Sequence, residues 1–222
     1  MRRRFALIAI AAALAATPAI AVVPAWQVVG RSQLLVTSGA ISQSSPLSTL
    51  HTSSAVMRAV ERDNGHHARQ ARLRFRFLGN SPTTAPLGSG LIVRQIGLKI
   101  RAGDPCNLLY VMWRDRPSPA IVISVKRNPG QTTSAQCGNR GYTTLATIPV
   151  RRAPGALHAL RELRVNAFPV GASLGLRAYR NGAMVYSKTL AASLVGGLNG
   201  PVGVRSDNGN YTFQLAVADR AP

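Results

Sequence analysis

Apolar and polar residues alternate along much of the chain after residue 69, in short segments separated by turn-forming residues. Residues 72–77 alternate arginine with leucine or phenylalanine, and residues 96–101 alternate isoleucine or leucine with glycine, lysine and arginine. Successive side chains of a β-strand point to opposite faces, so both segments predict half-buried strands with one apolar face. In each strand the opposite face carries basic residues.

The same pattern predicts further strands at residues 108–114, 120–126, 142–150, 157–166, 174–179, 184–186, 202–204 and 211–217. Asn181-Gly182 lies between two of these strands, and this dipeptide favours a two-residue hairpin because both positions tolerate positive φ. Residues 33–36 predict an additional strand, residues 42–54 a loop, and residues 55–62 one or two helical turns. About ten short strands with turn signals between them indicate an all-β, antiparallel, two-sheet β-sandwich.

The first residues have the organisation of a secretory signal. Arg2, Arg3 and Arg4 precede an apolar run, and Ala19-Ile20-Ala21 has the form of a cleavage site. The alternative is an uncleaved membrane anchor, because apolar residues continue beyond this site. We therefore expect a signal peptide at residues 1–21, an N-terminal strand and loops at 22–68 belonging to the sandwich, and a β-sandwich domain at 69–222. The mature protein is expected in the periplasm or outside the cell.

The C-terminal part carries a resemblance to a known superfamily. A strand enters the Asn181-Gly182 hairpin, residues 200–207 follow as Gly-Pro-Val-Gly-Val-Arg-Ser-Asp, and an aromatic strand begins at Tyr211. This order resembles the end of concanavalin A-like jelly rolls, which include laminin-G-like modules and bacterial domains related to glucanases and keto-glycoside hydrolases. The resemblance covers roughly residues 90–218 and implies a jelly-roll sandwich. It does not imply one activity, because the superfamily contains lectins, adhesion modules and enzymes.

The cysteine content is low and even. Cys106 and Cys137 are the two cysteines of the chain, and in an exported protein an even number favours a disulfide. The alternative is a pair of buried free thiols. Two cysteines are too few for a zinc ribbon or an iron–sulfur cluster. The adjacent His66 and His67 point to opposite sides of an extended chain, so we expect no metal site and no cofactor.

The acidic residues argue against glycoside hydrolysis. Such catalysis usually needs two carboxylates about 5 to 9.5 Å apart. The chain has seven acids, and Glu61 and Asp63 are the sole pair two residues apart, in a segment that indicates a solvated turn. Ser206 lies outside any Gly-x-Ser-x-Gly motif, so the sequence gives no support for serine-hydrolase chemistry. We therefore expect a non-enzyme, with a divergent glycoside-acting enzyme as the second alternative.

Aromatic and basic residues share the non-core side of several predicted strands. On residues 108–114, parity places Tyr110 and Arg114 opposite Leu109, Val111 and Trp113. Aromatic planes beside arginines suit sugars, because rings stack on C–H surfaces and guanidinium groups bond hydroxyls and carboxylates. The alternatives are arginines that only confer solubility and a Tyr110 that belongs to the core. The candidate ligand-binding residues are Tyr110, Arg114, Lys126, Arg140, Tyr142, Arg177 and Tyr179.

The charge balance points to an anionic partner. The chain has 27 basic and 7 acidic residues, and loss of three arginines with residues 1–21 leaves 24 − 7 = +17. Such a charge attracts polyanions. We place seven cations on one face of the sandwich, namely Arg72, Arg74, Arg76, Lys99, Arg101, Arg114 and Lys126.

If the protein is exported, the expected partner of this positive charge is an anionic polysaccharide or a membrane surface. No helix-turn-helix, zinc-finger or RNA-binding motif supports sequence-specific binding of nucleic acid. The sequence therefore predicts a secreted, non-catalytic, carbohydrate-binding β-sandwich that favours anionic glycans. The first alternative is an envelope-associated structural module that docks on anionic polymer by charge.

Overall fold

The computed structural model of the protein describes residues 25–44, 49–62, 69–151 and 158–219. The expected signal peptide at residues 1–21 lies outside these ranges, as do Asp63, His66 and His67. In the described part of the chain, no helix is long and apolar enough to cross a membrane. Among the same residues, no group of three His, Cys, Asp or Glu side chains is arranged to hold a metal ion.

The described residues form mostly strands. In chain order the elements are β1 (Gln27–Val29), a 3₁₀ turn (Arg31–Gln33), β2 (Leu34–Ser38), β3 (Ser42–Ser44), β4 (Thr49–Thr52), β5 (Val56–Glu61), β6 (Gln70–Asn80), β7 (Arg94–Ile100), β8 (Leu108–Arg116), β9 (Ala120–Lys126), α1 (Ser134–Cys137), β10 (Tyr142–Pro149), β11 (Arg161–Val170), β12 (Ser173–Arg180), β13 (Ala183–Leu190), α2 (Ala192–Val195), β14 (Gly203–Asp207) and β15 (Gly209–Ala218).

These strands form two antiparallel sheets. The eight-stranded sheet has the order β13-β12-β11-β6-β15-β4-β3, with β1 also paired to β15. The seven-stranded sheet has the order β10-β9-β8-β7-β14-β5-β2. Their inner faces enclose one main core, in which Phe75 of the first sheet contacts Trp113 of the second, edge to face, at 5.5 Å between ring centroids. The predicted two-sheet β-sandwich is confirmed.

Local patterns predicted several elements correctly. In β6 the residues Leu73, Phe75 and Phe77 are buried, as the alternation requires. Asn181 and Gly182 both have positive φ, at 48° and 83°, and they join β12 to β13 as the expected hairpin. The positive φ explains the dipeptide, because a β-branched or bulky residue would be strained at either position.

The N-terminal expectations were less accurate. Residues 55–62 do not form helical turns, because β5 pairs with β14 on one side and with β2 on the other. Backbone pairing on both edges outweighs the helix preference of the alanines and Met57. Residues 42–54 contain β3 and β4 rather than a loop alone.

The expected single face of seven cations is wrong. Arg72, Arg74 and Arg76 lie on β6 in the eight-stranded sheet, whereas Lys99, Arg114 and Lys126 lie in the seven-stranded sheet; Arg101 follows the end of β7. Strand parity determines which residues share a face of one strand, but it does not determine which sheet that strand joins. The cations therefore form two separate groups on opposite sides of the sandwich.

Candidate functional site

A cleft of about 710 Å³ lies on the outer face of the seven-stranded sheet, opposite the main core. Its floor comes from β5, β7, β8, β9 and β14, and its walls come from the segments at residues 86–88, 102–105 and 134–139. These walls explain the burial of β8, whose residues Leu108–Trp113 are buried on both faces of the strand. Part of the outer face of this sheet is therefore covered, and it carries both apolar and charged side chains.

A buried carboxylate organises one side of the cleft. Asp207 is 1% exposed and accepts hydrogen bonds from Arg58 Nη2 at 2.8 Å, Arg205 Nε at 2.9 Å and Gln95 Nε2 at 2.7 Å. The register creates this cluster, because β14 pairs Asp207 with Gln95 of β7 and pairs Arg205 with Arg58 of β5. Burial opposes ionisation of Asp207, but Arg205, Arg58 and the Gln95 bond outweigh it and hold the pKa of this carboxyl below its usual value.

Lys99 lies at the centre of the cleft floor. It is 5% exposed, and its backbone neighbours in the sheet are Tyr110 on β8 and Gly203 on β14. Burial, reinforced by the positive charges of Arg58, Arg205 and Lys126, lowers the pKa of Lys99 to about 7. Near neutral pH the amine is therefore divided between its charged and neutral forms.

Two tyrosine rings stack on each other beside these cations. The rings of Tyr110 and Tyr142 stack with centroids 6.0 Å apart and an interplanar angle of 23°. Arg205 lies 5.1 Å from the Tyr110 ring centre, and Lys126 Nζ lies 5.2 Å from that of Tyr142. Burial raises the pKa of Tyr110 to about 12, whereas Tyr142 is 43% exposed and offers part of its surface to the solvent. Aromatic surface and positive charge thus meet in one cleft.

The predicted Cys106–Cys137 disulfide is present and joins two walls of the cleft. Lys126 Nζ donates to the carbonyl oxygens of Pro105 at 3.1 Å and Gly138 at 2.7 Å, one beside each cysteine. Asp104 accepts from the backbone N–H groups of Cys106 and Asn107. The bridge and these bonds hold the segment after β9 against the segment before β8.

The structure brings three of the candidate residues together: Tyr110, Lys126 and Tyr142 all line the cleft. Tyr110 faces away from the main core as predicted, yet it is buried, in a second small apolar cluster with Leu108 and Met112. Arg114 shares that face of β8 but lies outside the cleft lining, where its Nε donates to the Ser118 carbonyl.

The other candidates lie elsewhere. Arg140 is close to the bridge, as expected, but its guanidinium donates to the carbonyls of Gln136 and Cys137 and does not line the cleft. Arg177 and Tyr179 lie on β12 in the eight-stranded sheet, on the opposite side of the molecule. Their placement with Tyr110 in one site is incorrect, because the sequence pattern did not identify the sheet.

Sequence reasoning missed Arg58, Gln95, Arg205 and Asp207 as residues of the cleft. The signal was present, since Arg58 alternates with Met57 and Ala59, and Arg205 and Asp207 alternate with Val204 and Ser206. A period of two would have placed these polar side chains on one face of a strand. The strand predicted at residues 202–204 ends before Arg205, because the sequence pattern alone does not show that other segments cover the outer face of the sheet.

Comparison with known proteins addresses the fold. No protein-family model and no curated protein matches the sequence. Among solved structures, a mutant of the Emp46p carbohydrate recognition domain aligns with a TM-score of 0.50 at 9% identity, covering 86% of this chain and 90% of that one. This chain has the concanavalin A-like jelly-roll fold.

Two further solved structures align less closely. The winged bean acidic lectin in complex with methyl-alpha-D-galactose has a TM-score of 0.49 at 11% identity, with 89% of this jelly roll and 100% of the lectin covered. The xylan beta-1,4-xylosidase of Bacillus halodurans has a TM-score of 0.47 at 10% identity, with coverage of 78% and 33%. At these identities the similarity concerns the fold alone.

Proposed function

We propose that this jelly roll binds carbohydrate in the cleft of the seven-stranded sheet and favours glycans that carry acidic groups. The observation that carries the proposal is the stacked pair Tyr110–Tyr142 beside four cationic side chains in one cleft. The Emp46p domain, which shares the fold, is named as a carbohydrate recognition domain. The Cys106–Cys137 disulfide is compatible with an exported protein.

The charges of the cleft support the acidic preference. Arg58, Lys99, Lys126 and Arg205 line it, against two carboxylates. Both carboxylates already accept hydrogen bonds: Asp207 from two arginines and a glutamine, and Asp104 from backbone amides and Asn107. The lining therefore has an excess of positive charge, and a low-dielectric cleft focuses such a field on an anionic ligand.

A glycan array at low and high salt tests the function. We expect acidic oligosaccharides to bind, with weaker binding at high salt because screening reduces the attraction of the cations. Selectivity that survives high salt would show stacking and hydrogen bonding in addition to charge. Equal binding of neutral and acidic glycans at low salt would contradict the acidic preference, and binding of neither would contradict the function.

Replacing Tyr142 with alanine is expected to weaken binding of an acidic oligosaccharide about tenfold. An aromatic contact contributes roughly 0.5–1.5 kcal/mol beyond burial of its area, and removal of the ring also removes buried apolar surface. Tyr142→Phe keeps the ring and should bind nearly as well as the unmodified protein. Isothermal titration calorimetry gives the affinities, and Leu160→Ala, which removes an exposed apolar side chain that does not line the cleft, is the control. Unchanged binding by Tyr142→Ala would contradict stacking of the glycan on this ring.

A second candidate function, docking on anionic polymer by charge, is favoured by the outer face of the eight-stranded sheet. Three arginines there lie over aromatic rings: Arg72 over Trp26 at 4.5 Å, Arg164 over Tyr179 at 4.1 Å, and Arg177 over Phe168 at 5.0 Å. A stacked guanidinium keeps its N–H edge available for oxyanions. We call these three arginine–aromatic pairs the arginine surface.

The double variant Arg164→Ala/Arg177→Ala should elute from immobilised heparin at clearly lower salt than the unmodified protein if the arginine surface docks on polymer. Exposed charges contribute modestly one by one, so we expect a combined loss of about tenfold in affinity. Arg116→Ala/Arg151→Ala removes two exposed arginines elsewhere and controls for net charge. Identical elution of the two double variants would show that net charge alone, and not this surface, governs docking.

We also expect no hydrolysis of common β-glucans by the purified protein. A glycosidase needs a carboxylic acid that stays protonated near neutral pH. Asp207 has the opposite property, since its arginine partners hold its pKa low and keep it ionised. Release of reducing sugar is the measurement, and turnover that disappears in Asp104→Asn or Asp207→Asn would establish the divergent enzyme instead.

A further inference from the structure

Lys99 and Arg205 project from neighbouring strands of the cleft floor with glycines opposite them. In the register of β7 and β14, Lys99 pairs with Gly203 and Arg205 pairs with Gly97. The two cations are thus diagonal neighbours, whose backbones lie about 7–8 Å apart. Each glycine lies where a neighbouring strand approaches closely, so both glycines belong to the tight packing of the strands that carry the two cations.

The glycines are required for this close packing. A Cβ at Gly97 would lie 2.2 Å from the Val111 carbonyl oxygen, and one at Gly203 would lie 2.3 Å from the Ala59 carbonyl oxygen. Both atoms belong to the backbone of neighbouring strands and cannot move aside cheaply. The floor around Lys99 therefore depends on two positions at which a larger residue would displace a strand.

The charged side chains that act on the Lys99 amine are cations. The other titratable groups that line the cleft are Arg58 of β5, Tyr110 of β8, Lys126 of β9, Tyr142 of β10, Arg205 and Asp207 of β14, and Asp104 of the adjoining segment. Among the described residues, the charged groups that act on its amine are Arg58, Arg205 and Lys126, all of like charge. Asp207 bonds the two arginines and Gln95, while Lys126 donates to carbonyl oxygens.

We propose that Lys99, with Arg58 and Arg205 beside it, forms a subsite for a single oxyanion substituent of the bound glycan, either a carboxylate or a sulfate. This inference rests on the proposed function of the cleft and adds which group of the sugar is recognised and where. The Lys99 amine is the central donor, and the two arginines contribute positive charge while remaining bonded to Asp207. The stacked tyrosines lie beside this subsite, because Tyr110 is the backbone neighbour of Lys99.

Binding of the oxyanion is coupled to uptake of one proton. In the free protein, burial and three cations lower the pKa of Lys99 to about 7. An oxyanion against the amine favours the ammonium form and raises that pKa, so above pH 7 the amine takes a proton from the solvent as the complex forms. Carboxylates and sulfates on sugars are ionised throughout this range and contribute no proton of their own. Affinity therefore falls as the pH rises above 7.

Calorimetry of an oligogalacturonide (carboxylate) and a sulfated galactan oligosaccharide (sulfate) tests the subsite at pH 6 and pH 8. Titration in two cationic buffers with different ionisation heats, such as Tris and imidazole, gives the number of protons taken up. From a pKa of about 7 we expect uptake of roughly 0.1 proton at pH 6 and 0.9 at pH 8, with about tenfold weaker binding at pH 8. The oligosaccharide that shows this linkage identifies the substituent.

Two variants separate charge from proton uptake. Lys99→Arg stays charged at both pH values, so it should bind without proton uptake and with similar affinity at pH 6 and pH 8. Lys99→Met should lose at least tenfold in affinity at pH 6, where the unmodified lysine is charged. Lys188→Met removes an exposed lysine of the other sheet and should change neither quantity. Circular dichroism verifies that each variant is folded.

The outcomes distinguish this inference from the proposed function. Binding of acidic oligosaccharides with no proton uptake at pH 8, or undiminished binding by Lys99→Met, overturns the subsite and leaves the glycan-binding function standing. Binding of neutral oligosaccharides alone likewise overturns the subsite. Failure of acidic and neutral glycans to bind overturns both.

Discussion

Replacing Asp207 with asparagine is expected to lower the free energy of unfolding by about 3–5 kcal/mol at pH 7. The carboxylate lies between Arg58 and Arg205, and its loss leaves two largely buried guanidinium groups without an anion. An asparagine amide cannot replace it, because its NH₂ group would face the N–H groups of the arginines. Urea denaturation followed by circular dichroism measures the change.

The pH dependence of this effect has a definite sign. Because the folded protein holds the pKa of Asp207 below its usual value, the stability it contributes is present above about pH 4 and is lost as the pH falls through the lower folded-state pKa. The difference between the unmodified protein and Asp207→Asn should therefore shrink in acid. Glu162→Gln is the matched control, since its bridge to Arg74 is more exposed and should contribute under 1 kcal/mol. Similar losses in both variants would contradict the buried cluster.

The cluster of Asp207 with Arg58, Arg205 and Gln95 affects both the stability of the fold and the charge of the cleft. Asp207 fixes the two arginines that act on Lys99, and the arginines in turn help to lower the pKa of that amine. Asp207 neutralises part of the charge of Arg58 and Arg205, but four cations line the cleft against two carboxylates, so its floor keeps a net positive charge. The same interactions that stabilise the sheet thus maintain positive charge at its surface.

Sequence patterns predicted local geometry well in this jelly roll. The alternation in β6 and β8 identified the inward faces, and the Asn181-Gly182 turn identified a hairpin, because these features depend on neighbouring residues. The identity of the sheet depends on pairing between distant segments. Strands β6 and β8 have the same kind of alternation, yet they belong to opposite sheets. Arg72 and Arg114 therefore lie on opposite sides of the sandwich.

The burial of residues on the outer face of the seven-stranded sheet was the second feature that the sequence pattern did not predict. A strand with one solvated face alternates cleanly, whereas β14 carries Arg205 and Asp207 on a face covered by other segments of the chain. Every residue of β14 is buried, including its charged ones. In the sequence, such a strand resembles a polar loop, because the segments that cover it are distant along the chain. The ion pairs that permit its burial can be identified only when the pairing of the strands is known.

The disulfide connects this cleft to the stability of the whole domain. Cys106 lies just before β8 and Cys137 ends α1, so the bridge closes a loop that contains β8 and β9. Lys126 Nζ donates to Cys137 Sγ and to the carbonyl oxygens of Pro105 and Gly138, each adjacent to a cysteine. Without the bridge, the wall formed by residues 134–139 would be attached to the segment before β8 through hydrogen bonds alone.

The double variant Cys106→Ala/Cys137→Ala is expected to unfold with a free energy about 3–4 kcal/mol lower than that of the oxidised protein, because the bridge spans 31 residues and restricts the unfolded chain. We also expect weaker binding in the cleft at temperatures where the variant remains folded, since its wall and the Lys126 contacts lose their covalent support. Urea denaturation measures the first effect and calorimetry with an acidic oligosaccharide the second. Intact mass after alkylation without reductant establishes that the starting protein is oxidised. Two alkylated thiols in the native protein would contradict the bridge, and unchanged stability in the double variant would contradict its structural role.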